Sequence, residues 1–317
     1  MDFRTLVPLP AAVPPRLQLG DGVMLLGSCF VEEVGRHLQR ALPPDDVVVN
    51  PFGVLYNPES LHLALHHIIY GSLFFPEEFL FQGSDGLWHS WLHSGTYSDA
   101  KRDVAATHMR QALERAARLL PKTRVLCLTF GTNRAYVHRT EGFVVGNCHK
   151  ESADLFEVKS LTAEDIVSLW SPLLADLEKD YPNLHTVFTV SPHRYAAYGL
   201  HESQLAKAQL LLAVDALCTA HRNAFYFPAY EIVLDELRDY RFFADDMLHP
   251  SPQAAAYVYE RFAAWLFSPL LTEYVSEHES LLRAEAHRPL HPDSEAHRKF
   301  LKTLEKKRAA FNKKWHS

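Results

Sequence analysis

The sequence has few cysteines, no long apolar run and no excess of positive charge, and each shortage points away from a class of protein. Its four cysteines are widely spaced without a C-x-x-C pair, and Cys127 and Cys218 are predicted to be reduced core residues. No apolar run approaches the roughly 20 residues needed to cross a bilayer, so no membrane partner is expected. A formal net charge of −6 gives no reason to expect nucleic acid as a partner.

The first 18 residues also lack a feature, namely the charged start and continuous apolar stretch of a signal peptide. The chain is therefore predicted to be a soluble cytoplasmic protein. Its 317 residues, of which 47% are hydrophobic and 12% aromatic, suffice for a large α/β core.

Apolar strand-like runs alternate with helix-like segments along most of the chain. The predicted strands are 23–26, 47–49, 124–129, 185–190 and 224–227. The predicted helices are 31–42, 58–70, 104–120, 163–177, 202–221, 228–238 and 251–267, and 136–147 is predicted to be a hairpin. This alternation predicts an α/β fold, a three-layer α/β/α sandwich around a mostly parallel five-stranded sheet in the flavodoxin-like order 2-1-3-4-5.

Two segments depart from this alternation. Residues 74–98 are rich in aromatics and are predicted to form an insertion near the mouth of a domain that spans 1–269. Trp88 and Trp91 in it either stack on a sugar ring or belong to the core, and the core is favoured. Residues 270–317 are predicted to form a charged helical extension on the domain surface, and an acidic partner is the less favoured alternative.

The first stretch that suggests chemistry is the turn at Gly27 and Ser28. The apolar run 23–26 stops there and a helix pattern begins, which predicts a buried strand, a tight turn and a helix. Ser28 then lies beside the N–H groups that open the helix, where negative charge is favoured. The position suits a nucleophile with an oxyanion hole, although the two residues could also form only the turn and the helix cap.

Two further stretches are predicted to lie at the same edge of the sheet. Asn133 follows the third strand and can point its amide into the crevice there, or can cap a loop. Asp246 lies three residues before His249, where a carboxylate can support an imidazole that faces the serine.

The order of these stretches resembles the SGNH (GDSL-like) hydrolase superfamily, and the residues Gly-Ser-Cys-Phe at 27–30 resemble the signature of the GSCFA family. The further blocks that carry the resemblance are 50–58, 130–133, 191–194 and 246–250. The likeness covers roughly residues 3–270 and extends to 288–301. One departure is that the first block lacks the aspartate of the usual Gly-Asp-Ser.

The resemblance implies a serine esterase or deacylase without a cofactor. Ser28 matches the nucleophile, His249 the general base and Asp246 the residue that orients the histidine. The implied substrate is an O-acyl ester of a small molecule or carbohydrate, including an O-acetyl carbohydrate. An acyltransferase that uses the same residues, or a ligand-binding module without catalysis, is the alternative.

The resemblance also implies an oxyanion hole. Asn133 matches its asparagine, and the Ser28 backbone opens the helix beside it. A glycine amide completes the hole in the superfamily, and Gly53 is its counterpart here, unless Asn50 serves instead.

Several residues carry rival or accessory roles. Cys29 is a rival nucleophile, because a thiolate attacks better than a hydroxyl. Arg194 and Trp88 are candidate substrate contacts, and Arg194 could equally pair with a carboxylate. A metal site is not expected, because the histidine pairs 62/66 and 89/93 lack a motif such as H-E-x-x-H.

Overall fold

Strands and helices alternate along the chain in a computed structural model that describes residues 4–71 and 77–315. The strands are β1 (Gly22–Gly27), β2 (Val47–Val49), β3 (Leu80–Gln82), β4 (Trp88–Ser90), β5 (Thr123–Phe130), β6 (Arg134–His138), β7 (Val144–Val145), β8 (Phe156–Ser160), β9 (His185–Val190) and β10 (Ala224–Tyr226). The helices are α1 (Cys29–Ala41), α2 (Pro58–Tyr70), α3 (Arg102–Leu119), α4 (Ala163–Asp180), α5 (Leu200–Ala220), α6 (Ala229–Glu231), α7 (Pro252–Leu266), α8 (Pro269–Glu285) and α9 (Glu295–Trp315).

The central sheet has the order β2-β1-β5-β9-β10, and every neighbouring pair in it is parallel. Counted within this sheet, the order is 2-1-3-4-5, which confirms the predicted fold class. Leu25, Cys127 and Val187 lie side by side on the three central strands. All three are buried because helices cover both faces of the sheet, which is typical of a parallel sheet.

Alternate strand residues belong to two separate apolar cores. Leu25 faces a core that includes Val34 of α1 and Phe262 of α7. Its neighbour Leu26 faces a core with Trp170 of α4, to which α2, α3 and α5 also contribute. Successive strand residues point to opposite faces, so the two helical layers follow from the apolar character of the strands.

A small antiparallel sheet lies between β5 and α4 in the chain. Tyr136 pairs with Val145, as the predicted hairpin requires, and β8 adds a third strand by pairing with β6. β8 was not predicted, because four of its five residues are exposed and give no apolar run.

The aromatic insertion contributes mainly core residues. Its first residues, 74–76, lie outside the described residues. Trp91 is buried and stacks on Phe81 with ring centroids 3.6 Å apart. Trp88 packs with Ala105 and Met109 of α3, and the guanidinium of Arg102 lies over its ring. Both tryptophans therefore contribute to small apolar clusters.

The C-terminal extension consists of two helices that pack on the α1 side of the sheet. Tyr274 of α8 and Phe311 of α9 are buried in the same apolar core as α1 and α7. The Nζ of Lys314 makes ion pairs of 2.6 and 2.7 Å with Glu273 and Glu277, which join the two helices. Among the described residues, no helix is long and apolar enough to span a bilayer.

Candidate active site

The turn after β1 places Ser28 at the N-cap of α1. The N-cap residue has extended backbone, and its carbonyl accepts a hydrogen bond from the Val31 N–H. A Cβ on Gly27 would lie 2.6 Å from the Thr129 carbonyl oxygen, so only glycine allows this approach of β1 to β5. Ser28 is 1% exposed, and its Oγ has no hydrogen-bond partner among the described residues. The hydroxyl therefore lies beside a helix N-terminus with its own hydrogen bonds unformed.

Asn50 supports this turn from the end of β2. Its Oδ1 accepts the Gly27 N–H at 2.8 Å, and its own N–H donates to the Leu25 carbonyl at 2.8 Å. Because Oδ1 must be the acceptor, the orientation of the amide is set by this bond. The Nδ2 group is buried without an acceptor in residues 4–71 and 77–315. The side chain that binds Gly27, the residue before Ser28, thus carries an unused donor.

Gly53 has no such unused donor. Its N–H donates to the Asn50 carbonyl at 2.7 Å. Its φ of +74° favours glycine, and a Cβ there would lie 1.8 Å from Ser94 Oγ. Gly53 therefore shapes the loop that presents Asn50.

Asn133 is buried after β5, where its side chain anchors a neighbouring loop. Its Nδ2 donates to the Leu161 carbonyl at 2.8 Å, and the Leu161 N–H donates back to the Asn133 carbonyl at 2.8 Å. An amide nitrogen carries two hydrogens, and this bond uses one of them. The structure thus gives Asn133 a loop-anchoring role and leaves one amide hydrogen for another acceptor.

The loop before α7 brings Asp246 and His249 together. Asp246 Oδ2 lies 2.5 Å from His249 Nδ1, and Oδ1 accepts the N–H groups of Leu248 and His249 at 2.9 and 3.0 Å. These bonds, with the His249 N–H and ring first, hold the pKa of Asp246 well below its usual range. Because Nδ1 donates to the carboxylate, Nε2 of the neutral ring is the proton acceptor. This is the tautomer that a general base needs.

His193 supports the His249 ring from the other side. The two rings stack with centroids 3.9 Å apart at 20°. Burial, followed by the charges of His249 and Lys207, lowers the pKa of His193 to about 4, so its ring is neutral near pH 7. The block 191–194 carries the family resemblance, but its histidine was not predicted as a site residue. The position of His193 just after the fourth strand of the central sheet is a signal that could have identified it.

Lys207 of α5 is buried behind these loops and was not predicted as a site residue. Its Nζ donates to the carbonyl oxygens of Gly131 and Ser191, at 2.5 and 2.7 Å, and thereby ties the loop after β5 to the loop after β9. Burial lowers the pKa of its ammonium group to about 7. A lysine inside a long helix usually lies in solvent, so the sequence gave no signal for this position.

An open crevice of about 400 Å³ lies against His193 and His249. Its aromatic walls are formed by Tyr56, Tyr136, Tyr195 and Tyr198. Ser28 Oγ is buried below the surface and makes no hydrogen bond to His249 in this structure. The sheet edge therefore brings the serine, the two asparagines and the Asp-His pair to one region, and the bond between serine and histidine is not formed.

Two of the sequence candidates lie elsewhere. Trp88 packs against α3 and does not line the crevice. Arg194 lines a separate pocket of about 480 Å³.

The rival chemistries have little support in the geometry. Burial raises the pKa of the Cys29 thiol, which disfavours the thiolate that a nucleophile needs. His89 is held by Ser98 at 2.6 Å and Asp85 at 2.9 Å. Within residues 4–71 and 77–315, no group of three histidine, cysteine or acidic side chains is arranged to hold a metal ion.

Three solved structures show distant likeness to the chain. A Streptococcus pneumonia protein provisionally described as a platelet activating factor is 12% identical, with a TM-score of 0.38, over 80% of this chain and 85% of its own. A family two carbohydrate esterase from Clostridium thermocellum, in complex with cellohexaose, is 12% identical, with a TM-score of 0.35, over 81% and 66%. An acetyl xylan esterase from the rumen bacterium Butyrivibrio proteoclasticus is 10% identical, with a TM-score of 0.37, over 78% and 64%. Every TM-score is below 0.5, so these likenesses establish no function.

Comparison with protein-family models identifies the family of the chain. No curated protein sequence matches the chain. The model described as the GSCFA domain protein, C-terminal domain, matches residues 278–317. The GSCFA family model matches residues 22–262, which is most of the chain and includes Ser28, Asn133 and His249. The chain therefore belongs to the GSCFA family.

Proposed function

We propose that the protein is a serine esterase that removes an acyl group from a small-molecule or carbohydrate ester. The observation that carries the proposal is the bonded pair of Asp246 and His249 at the sheet edge where Ser28 follows β1. The carboxylate sets the tautomer and stabilises the imidazolium that forms when the ring takes a proton.

The reaction follows from these three roles. Ser28 Oγ attacks the ester carbonyl carbon while its proton passes to His249 Nε2. The tetrahedral intermediate then collapses, and the alcohol leaves with that proton, so an acyl-serine remains. Water attacks the acyl carbon, gives its proton to His249 and releases the carboxylic acid, while the serine hydroxyl is restored.

The oxyanion is assigned to donors around the helix start. Asn50 Nδ2 is buried without an acceptor and lies beside the Ser28 turn, which makes it the best-supported donor. Asn133 contributes through its second amide hydrogen in this proposal. The Gly53 amide is the weaker candidate, because the Asn50 carbonyl already accepts its hydrogen.

Catalysis requires a hydrogen bond between His249 and Ser28 that is not formed in this structure. Ser28 Oγ has no partner in the described residues, whereas the side chains of Asp246 and His249 are 45% and 43% exposed. Hydrogen bonds of this kind often tighten only when substrate binds. The proposed motion is a shift of the exposed Asp-His loop, because that loop is less packed than the turn of Ser28.

The tyrosine lining of the crevice favours a substrate that carries a ring. Tyr195 and Tyr198 stack there with ring centroids 6.0 Å apart, and the Tyr136 and Tyr198 hydroxyls share a 2.6 Å hydrogen bond. Tyrosine ring faces pack on the apolar side of a sugar, and tyrosine hydroxyls form hydrogen bonds with the hydroxyl groups at its edge. Acyl transfer to an alcohol is the second candidate, but solvent exposure of His249 favours water as the acceptor.

The test compares release of acetate from p-nitrophenyl acetate and acetylated xylose by three proteins. Wild type should hydrolyse the ester, Ser28→Ala should lose at least about 10⁴-fold in kcat, and Cys29→Ala should stay near wild type. Added xylose would reveal transfer as an acetylated sugar product. Binding of the sugar ester without any turnover by wild type would contradict the proposal and favour a binding module.

A further inference from the structure

We infer that the pocket beside Arg194 is a second binding site that takes an oxyanion, a carboxylate or a phosphate, on the alcohol part of the substrate. The pocket has a volume of about 480 Å³ and is distinct from the tyrosine-lined crevice. Its assignment to the substrate rests on the proposed function, whereas its affinity for an oxyanion does not.

The pocket lies on the other side of the catalytic loop. His193 lines the crevice and its neighbour Arg194 lines the pocket. The Arg194 N–H donates to the Leu248 carbonyl at 3.3 Å, which attaches this segment to the loop of His249. Met247 of the same loop is half exposed and lines the pocket with a φ of +59°. A ligand that spans the loop could therefore contact both cavities.

Arg194 is the reason to expect an oxyanion. Its Nε is buried without an acceptor, and no carboxylate pairs with its guanidinium in the described part of the chain. A buried donor without an acceptor is costly, so an acceptor on a ligand would recover that cost. The planar guanidinium offers paired N–H groups whose spacing matches the two oxygens of a carboxylate or phosphate.

A second donor lies next to it. The Tyr230 hydroxyl donates to Gln204 Oε1 at 2.9 Å, so the Gln204 amide presents its Nε2 hydrogens to other partners. The charge of Arg194 opposes the rise that burial causes in the pKa of Tyr230, which shows that the guanidinium acts on this end of the pocket.

The acidic residues of the pocket do not cancel this charge. Both oxygens of Asp239 are bonded to Arg241, through its backbone N–H and its Nη2 at 2.9 Å each. The remaining carboxylate, that of the exposed Asp235, lines the pocket together with two arginines, Arg194 and Arg238. The pocket keeps an excess of positive charge near the donors.

The rim adds a surface for a ring. Tyr240 is 73% exposed and lines the pocket beside Arg238. An exposed aromatic face next to cationic donors suits a sugar that carries an acidic group. The chemical class is thus an acidic sugar, either a uronate or a sugar phosphate.

The test measures binding of glucuronate, glucose 6-phosphate and glucose to the full-length protein by isothermal titration calorimetry. At least one anionic sugar should bind about tenfold more tightly than glucose, and which one does so distinguishes a carboxylate from a phosphate. Arg194→Gln should reduce the preference to within about twofold. The matched control Arg222→Gln should retain it, because Arg222 is exposed and precedes the amino end of β10, whereas the pocket residues follow its carboxyl end.

Equal affinity for all three sugars in wild type would overturn the inference, and so would a preference that survives Arg194→Gln. A melting curve checks that this variant folds. If it does not fold, Arg238→Gln decides, because that side chain is exposed and its loss should lower the preference by about threefold. Binding is measured without turnover, so an inactive protein that binds anionic sugars would refute only the esterase.

Discussion

The two halves of the candidate site satisfy their polar groups in opposite ways. On the nucleophile side, Ser28 Oγ and Asn50 Nδ2 are buried without partners in the described residues. On the base side, both oxygens of the Asp246 carboxylate accept hydrogen bonds although the side chain is 45% exposed. Each unpaired buried group costs about 1–3 kcal/mol, so it persists only where the surrounding fold holds it. We therefore expect the buried nucleophile side to stabilise a developing negative charge and the exposed base side to move.

Removal of the base should give the largest effect. His249→Ala is expected to lower kcat by about 10⁴-fold, because the proposed mechanism gives the serine proton to His249 alone. His193→Asn should cost much less, because the neutral His193 ring only packs on His249. Steady-state kinetics on p-nitrophenyl acetate measures both. An equal loss in the two variants would mean that the stacked pair acts as one unit.

The carboxylate of the exposed half is the next test. Asp246→Asn should reduce turnover by about a thousandfold, since an amide neither stabilises the imidazolium nor fixes the tautomer. Asp245→Asn is the matched control and should stay within about twofold, because Asp245 is exposed and one residue further from the histidine. A more damaging effect of the control would show that the wrong aspartate has been assigned.

The buried half can be tested without changing its shape. Asn50→Asp keeps the Oδ1 that accepts the Gly27 N–H, and it replaces the unpaired donor with an acceptor oxygen that, when ionised, also opposes an oxyanion. A loss of about a hundredfold in kcat with little change in KM is expected. Asn133→Ala should also lower the melting temperature, because its side chain anchors Leu161. Unchanged kcat in Asn50→Asp would exclude Asn50 from the oxyanion hole.

The smallest effect concerns stability in acid. Burial lowers the pKa of His193 and His62 to about 4 and that of His93 to about 3, against an ordinary value of 6.5. The unfolded chain therefore takes up protons first as pH falls, so stability should be full above pH 6.5 and decline toward pH 4. Thermal melts at pH 7 and 4.5 should show this decline and a smaller one in His193→Asn, with exposed His201→Asn as the control. A wild-type midpoint that does not fall would contradict the neutral ring.

The fold could be predicted from the sequence because the central strands are covered on both faces. Apolar runs such as 124–129 have few alternatives to a buried parallel strand. β8 and the pairing of α8 with α9 were not predictable in this way. Four residues of β8 face solvent, and the pairing of Tyr274 with Phe311 joins two consecutive helices whose mutual orientation no local pattern fixes.

The candidate site was predictable only in part. The spacing of Asp246 and His249 is local, so the sequence carries it. The choice between Asn50 and Gly53 depends on which N–H is already bonded, and only the three-dimensional loop shows that. Lys207 binds two loops that follow different strands, and His193 stacks on His249 of another loop. These contacts join segments far apart in the chain, so the sequence does not reveal them.

The most direct test of the central claim is the position of a covalent adduct. The full-length protein is treated with a fluorophosphonate, digested and mapped by mass spectrometry, because this reagent traps a serine that a neighbouring histidine activates. A single adduct on Ser28, which disappears in His249→Ala and persists in Cys29→Ala, is the predicted result. An adduct on Cys29 or on another serine, or no adduct in a preparation that hydrolyses esters, would contradict the claim that Ser28 is the nucleophile.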